Sequence, residues 1–482
     1  MLSVLIRKYD YLLFYSYGIL FIACLCLGFV FEQPLLFLLP ALLLGGLVVF
    51  YDYKIVYYLL VAVLPMSTEV LFESGFGTDL PSEPILISLV MVFGFLILFK
   101  PAQLLSPFYK HPITLLLLLH LGWIVITLIM STQRELSIKY LITKIWYVSV
   151  FFFMSGMILT SEKSFRKLLW TTVLPTILAV VLIIYKHSKW GFLFEYVNKS
   201  VVPFFRNHVN YGVFITMLVP LLVAMRFWYK KGSIMRLLMD IFTMITLIGI
   251  YLTYTRGAWL ALVALPIVYI IVLYKKMKHI LLSGFIVVFL FFGYLSVNNN
   301  YLRFAPDYAH TIYHDNLKDH IIATFSGKDM STMERFYRWV AAFKMTGDSP
   351  VFGFGPNSFV KTYKSYTVTS FATYISRNEE NSTVHNYFIL LMAEQGIPGM
   401  LIFMGFIAMV LITAERVYHQ QNTFNDKWIV MVALMVIIVF LINNLFSDLL
   451  EANKLAPLFF IMVAIIINWD FKSKLTLQND IT

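Results

Sequence analysis

Four short stretches of this sequence put polar groups where an apolar chain has little reason to carry them. "VHNYFILLMAEQGIPG", residues 384–399, sets His385 and Asn386 directly before an apolar run that breaks on Gly396, Pro398 and Gly399. With an unperturbed pKa of about 6.5, a histidine can take a proton from a hydroxyl near neutral pH, although a single interfacial histidine can equally be structural. "STMERFYRWVAAFKMTGDSP" carries Arg335 and Arg338, three residues apart and so on one face of a helix. Planar guanidinium forks suit bidentate recognition of a pyrophosphate; the plainer reading is a solvated charged face. "TYTRGAWLAL" places Arg256 between two apolar segments with almost no loop, and Gly257 after it permits close approach of a backbone or a ligand. An arginine at membrane depth is costly enough to suggest an anion site, whereas one at a span end can snorkel to water. "FFRNHVNYGVF" holds Arg206, Asn207, His208 and Asn210 ahead of another apolar segment, which capping explains and sugar hydrogen bonding could also use.

Other patterns carry less. His310 and His314 are spaced to ligate a metal if helical, but no His-Glu-x-x-His is present and no Asp-x-Asp occurs anywhere, so neither a metal nor another cofactor is expected. The only cysteines, Cys24 and Cys26, fall inside the first apolar segment, which leaves no disulfide framework or thiolate site outside it. Glu394 lies eight residues past Asn386, too deep to serve as a base, and reads as a structural helix-end carboxylate.

The elements that must hold these residues are membrane helices. The chain is 60% hydrophobic and 13% charged with a mean hydropathy of +0.79, against about 45–50% apolar and about 25% charged in soluble domains. Apolar segments near 11–31, 33–51, 55–70, 84–99, 112–130, 143–160, 167–185, 209–228, 235–254, 257–274, 279–297, 386–417, 428–446 and 453–469 predict an all-α polytopic bundle of about 12–14 transmembrane helices. The N-terminal apolar stretch is too long for a signal-peptide core and reads as the first span. The motifs divide the chain into N-terminal helices (1–200), helices with the Arg256 motif (201–297), one large, partly helical loop (298–384) and C-terminal helices (385–482).

The net charge of +11 is the cytoplasmic excess of Lys and Arg usual in membrane proteins, not a sign of nucleic acid. On this map Arg7, Lys8, Arg226, Lys230, Lys231, Arg236, Lys275, Lys276, Lys278, Arg416, Lys472 and Lys474 share one side. The short loops opposite hold fewer cations, among them Arg134, Lys139, Lys144, Arg206, Arg256 and Lys454. Both termini are therefore expected in the cytoplasm, with the long loop and the acidic stretch around Glu69, Glu73, Asp79 and Glu83 outside. Within that loop an amphipathic helix is expected over about 332–346, opened by a Ser331/Glu334 capping box and closed by Gly347 and Pro350. "VFGFGPNSF" follows as a tight turn packing its aromatics on something apolar. Asn381, Ser382 and Thr383 are natural caps for the helix after His385, and the break at Gly396 lets that first piece tilt as a short lid or re-entrant element.

Together the motifs resemble those of bacterial O-antigen ligases and their polymerase relatives. The resemblance rests on His385-Asn386, nine residues, Gly396, two residues, Gly399; on "TRGAW" at 255–259; and on "ERFYRWVAAFKMTGDSPVFGFGPNSF" at 334–359. It implies a metal-independent, inverting glycosyltransferase of the bacterial inner membrane with a periplasmic active site. Its donor would be a glycan on undecaprenyl pyrophosphate and its acceptor another glycan or lipid A core. Arg256 and Arg335 would hold the pyrophosphate and His385 would deprotonate the acceptor hydroxyl. Arg338, Asn386, Asn210 and Arg206 would assist in binding, and Gly396, Pro398 and Gly399 would form the hinge. A polymerase that extends the glycan on its carrier fits the same motifs. A multi-pass polysaccharide or lipid transporter is the rival of another class, and no matched pair of broken helices in the two halves favours it.

Overall fold

The computed structural model describes residues 52–71, 77–99, 107–297, 300, 330–368 and 382–479. The expected spans at 11–31 and 33–51 and the histidines His310, His314 and His320 lie outside them. After Leu104 the chain divides into two compact units. In the first, α1 (Tyr53–Val63) is capped by Asp52, whose carboxylate accepts from the amides of Lys54 and Ile55. Its 3-10 continuation at Leu64–Met66 contains Pro65, which cannot donate the next helical hydrogen bond. The chain then turns into an antiparallel hairpin, β1 (Thr68–Leu71) with β2 (Gly77–Leu80), pairing Thr68 with Leu80 and Leu71 with Gly77. The expected span at 55–70 is thus a shorter helix followed by a strand. Helix α2 (Ser82–Phe99) completes the described part of this unit.

The second unit is a helical bundle: α3 (Pro112–Ile129), α4 (Arg134–Ile158), α5 (Glu162–Ser188), α6 (His208–Trp228), α7 (Ile234–Leu252), α8 (Arg256–Leu273), α9 (Met277–Ser296), α10 (Met330–Asp348), α11 (Tyr387–Gln420), α12 (Phe424–Asn444) and α13 (Leu455–Asn479). Among the described residues ten helices are long and apolar enough to cross a membrane. They are α2 to α8 and α11 to α13, and the fold is the expected all-α polytopic bundle apart from the hairpin. Helices α6, α12 and α13 form the centre, with Val430 to Leu434 and Phe459 to Ile467 almost wholly buried. Helices α3, α7 and α8 present Leu119, Ile248, Val263 and Ile267 outward, as lipid-facing surfaces do. Helix α4 begins nine residues before the expected span and passes through a π-helical segment at Val148–Met154. Lys144 is therefore a buried residue within a helix and not part of a loop.

Successive spans alternate in direction, so the reversals near 130–133, 189–207, 253–255, 297–386 and 445–454 gather at one end of the bundle. Side chains tie them together: Thr255 Oγ1 donates to the His208 carbonyl at 3.2 Å, Tyr254 to the Phe192 carbonyl at 2.9 Å, Ser137 to the Pro356 carbonyl at 2.6 Å, and Lys454 to the Phe204 carbonyl.

Candidate active site

His385 sits at this end, immediately before α11. The cap of α11 is Asn386 and not the expected Asn381–Thr383: its side-chain oxygen accepts from the Ile389 amide at 3.1 Å while its Nδ2 donates to the Leu445 carbonyl at 3.1 Å. One side chain thus starts the helix and binds it to the turn after α12. The residues upstream are held from α10, where Arg338 Nη1 donates to the Thr383 carbonyl at 3.2 Å and Trp339 Nε1 to the Val384 carbonyl at 3.1 Å. Between these clamps His385 adopts φ +56°, a left-handed conformation that costs energy in a non-glycine residue and that the surrounding bonds enforce.

Helix α10 starts at Met330, ahead of the proposed capping box, and Glu334 is instead ion-paired with Arg338 at 3.3 Å. The buried stripe runs through Glu334, Tyr337, Arg338, Ala341 and Met345, the i, i+3, i+4 spacing of one face. Arg338 is inside that stripe and Arg335 is half-buried beside it. Both guanidiniums act on His385: burial first, then Arg338 and Arg335, lower its pKa to about 3.

The glycine motif following His385 has a geometric explanation. At Gly396 the backbone leaves the helix, with φ 72° and ψ 176°, a combination that only glycine tolerates. A Cβ there would lie 2.0 Å from the Val351 carbonyl oxygen. The break exposes the last carbonyls of the first half-helix, which must then find other partners. Phe354 and Gly355 donate their amides to the carbonyls of Ala393 and Glu394 at 3.1 and 2.8 Å, and Trp123 Nε1 donates to that of Gln395 at 2.9 Å. On the far side of the break the Ile397 amide donates to the Pro350 carbonyl at 2.8 Å. The "VFGFGPNSF" loop therefore plugs the kink, with Phe352 stacked on Trp123 at 5.9 Å. Glu394 accepts from the amides of Asn357 and Phe359 at 2.8 and 2.9 Å, a structural carboxylate.

Arg256 is the first residue of α8, half-buried, in the reversal that also holds Thr253 and Thr255. A Cβ on Gly257 would stand 2.5 Å from Asn443 Oδ1 and 3.9 Å from Phe446. The start of α8 thus abuts the 443–446 turn, the same turn to which Asn386 is bonded. In the fourth stretch Asn207 caps α6 by accepting from the Asn210 amide at 2.9 Å, and His208 Nδ1 lies 2.9 Å from Asn198 Oδ1. Arg206 is exposed, and its charge acts on Asp448.

Sequence reasoning passed over the segment "NNLFSDLLEANK" between α12 and α13. Burial raises the Asp448 carboxyl above its ordinary pKa, opposed by a hydrogen bond from Thr383 and by the charges of Arg338 and Arg206. Burial likewise pushes Glu451 up to about 7, opposed by Lys144 and reinforced by Asp448. The signal for this cluster was present: two acids and a pair of asparagines interrupting the last two spans, with Lys144 in an apolar helix. Among the described residues no group of three or more His, Cys, Asp or Glu could hold a metal ion.

The segments carrying Arg256 and His385 thus flank one turn, and the helix carrying Arg335 and Arg338 is bonded to the residues just before His385. Such an arrangement can neutralise a dianionic leaving group and present a neutral imidazole to a hydroxyl. Residues 241–404 match the family model described as O-antigen ligase, a stretch that takes in Arg256, Arg335, Arg338, His385, Asn386, Gly396, Pro398 and Gly399. No curated protein matches the chain.

Proposed function

We propose that this chain, a member of the O-antigen ligase-related family through residues 241–404, transfers a glycan from undecaprenyl pyrophosphate to an acceptor hydroxyl, with inversion, at the periplasmic face of the bacterial inner membrane. The observation that carries the proposal is the meeting of the Arg256 and His385 segments at the 443–446 turn, at the end of the bundle to which α10 and the 350–359 loop are also bonded. In this reading Arg256 and Arg335 hold the pyrophosphate and stabilise the charge that develops on it as the anomeric bond breaks. His385 accepts the proton of the attacking hydroxyl, a contribution typically of about 10²–10⁴-fold. Attack from the face opposite the departing pyrophosphate inverts the anomeric centre. Arg338 holds the His385 segment through Thr383 and Glu334, and Asn386 holds it through Leu445. Their roles are positional as much as substrate-binding. Asn210 and Arg206, at and just before the start of α6 on the same end of the bundle, are assigned to substrate binding in this reading.

The pyrophosphate also tunes the base. In the donor-free protein burial first, then the two arginines, lower the basicity of His385; a bound dianion offsets the arginines' part of that lowering. Acceptor activation then follows donor binding. The excess of Lys and Arg in the opposite reversals, Lys163, Arg226, Lys230, Lys231, Lys275, Lys276 and Lys427 among them, supports a cytoplasmic side there and an outer side for His385.

A transfer assay in membranes with a lipid-linked glycan tests the proposal. Glycan appearing on a lipid A core supports ligation, and a ladder growing on the carrier lipid identifies a polymerase of the same family. Transport of the lipid-linked glycan with no change of covalent linkage overturns both.

A further inference from the structure

Lys144 lies on α4 with only 6% of its surface exposed, in a helix otherwise suited to lipid. A cation at that depth persists only where partners surround it, and its partners come from two separate elements. Its Nζ donates to the Leu450 carbonyl at 3.0 Å in the turn between α12 and α13, and the same turn supplies the carboxylate of Glu451. From α11 it meets the ring of Tyr387, whose centroid is 5.7 Å away, and the charge of Glu394; the Tyr140 ring of its own helix lies at 5.1 Å. Tyr147, one turn further along α4, donates to the carbonyl of Asn453 at 3.2 Å and so secures the other end of the same turn.

These partners are adjacent in sequence to the proposed chemistry. Tyr387 is two residues from His385, and Leu450 is two residues from Asp448. Glu394 accepts the amides of Asn357 and Phe359 and so joins the first half of α11 to the loop that follows α10. We infer that Lys144 is a positioning residue, a buried cation that locks the His385 half-helix against the 445–454 turn and sets the spacing of the proposed active site without touching substrate. Neutral, unbranched side chains of similar length fill the same volume but neither donate to the Leu450 carbonyl nor answer the charge of Glu451. The inference rests on His385 being the base.

The test compares purified Lys144→Met, Lys144→Arg and the Lys144→Met/Glu451→Gln double variant in proteoliposomes. The donor is the undecaprenyl-pyrophosphate-linked glycan extracted from the source cells. Lys144→Met is expected to lower kcat by tenfold or more with KM for the donor within about threefold, because the arginines that bind it remain in place. Lys144→Arg is expected to recover part of kcat. The double variant removes the charge of Glu451 together with that of the lysine, and it carries the test should Lys144→Met fail to fold. It is expected to recover thermal stability and not kcat. Wild-type kcat in a folded Lys144→Met protein, or full recovery of kcat in the double variant, would overturn the inference. His385→Ala serves as the control: if it stays fully active the base assignment is wrong whatever Lys144 does, whereas an inactive His385→Ala beside a fully active Lys144→Met defeats the positioning role alone.

Discussion

The two ends of the bundle handle charge in opposite ways. At the end where α3, α11 and α13 meet, the acids are central and ringed by donors. Asp470 receives His111 at 3.1 Å, Arg416 at 3.1 Å and Lys474 at 2.7 Å. Asp426 receives Lys472 at 2.6 Å, Trp469 Nε1 at 2.8 Å and Thr423 at 2.6 Å, and Glu415 accepts from the Met277 amide at 2.9 Å. At the other end Arg338 is held by Glu334 and by the Thr383 carbonyl, and burial first, then the charges of Arg338 and Arg335, lower the pKa of His385. At the first end the acids latch helices to one another; at the second, charged side chains hold the irregular segments that lead into α11 and α13. Charge content alone does not mark a functional end, since both are rich in it. What distinguishes them is what the charged groups hold, helix to helix at one end and irregular segments at the other.

That contrast is broken most directly by removing the proposed chemistry. Arg256→Ala or His385→Ala is expected to cost about 10²–10⁴-fold in transfer rate, with expression and fold intact. Full activity in both variants would show that the His385 end is not an active site. Next in size, Gly396→Ala forces a Cβ to 2.0 Å from the Val351 carbonyl in a backbone conformation costing about 1–3 kcal/mol for other residues. The kink should lose its plug, with a lower melting temperature in detergent and a reduced rate. At the end held by Asp470, Asp470→Asn is expected to lower stability by about 1–3 kcal/mol through the loss of charge-assisted bonds while leaving kcat unchanged. A large loss of kcat there would erase the distinction between the two ends.

The smallest effect is on pH dependence. His385 must be unprotonated to act, and its lowered pKa keeps it so well into acid in the donor-free protein. The acidic limb of kcat/KM, which reports the free enzyme, should therefore lie below that of kcat, which reports the donor complex. Arg335→Gln removes one of the lowering charges, so the kcat/KM limb should move to higher pH and the gap should narrow. Coincident limbs in the unmodified protein would refute the tuning by donor.

Much of this was legible in one dimension because each feature has a local cause. Ten spans follow from runs of apolar residues, the amphipathic α10 from the spacing of its aromatics, the break at Gly396 from glycine and proline together, and the structural role of Glu394 from its depth. The misjudged details depended on competition between partners. Asn386 displaced Asn381–Thr383 as the cap because α10 draws the carbonyls of Thr383 and Val384 away. Glu334 left its capping role for a buried arginine one turn along. Lys144 is accommodated inside the bundle because the Leu450 carbonyl, the Tyr387 ring and the charge of Glu451, all distant in sequence, surround it.

The sequence by itself determined that the chain is built of membrane-spanning helices, which short segments are candidates for chemistry and which family they resemble, because hydropathy, periodicity and glycine geometry act over neighbouring residues. It could not rank the spans by burial: α7 and α13 are comparably apolar, yet one faces outward and the other forms the centre, since lipid and protein interior reward the same side chains. Nor could it show that Lys144, Asp448 and Glu451 belong with His385. Only the tertiary structure decided that, because a polar residue in an apolar segment marks itself in the sequence while the partners it meets, hundreds of residues away, do not.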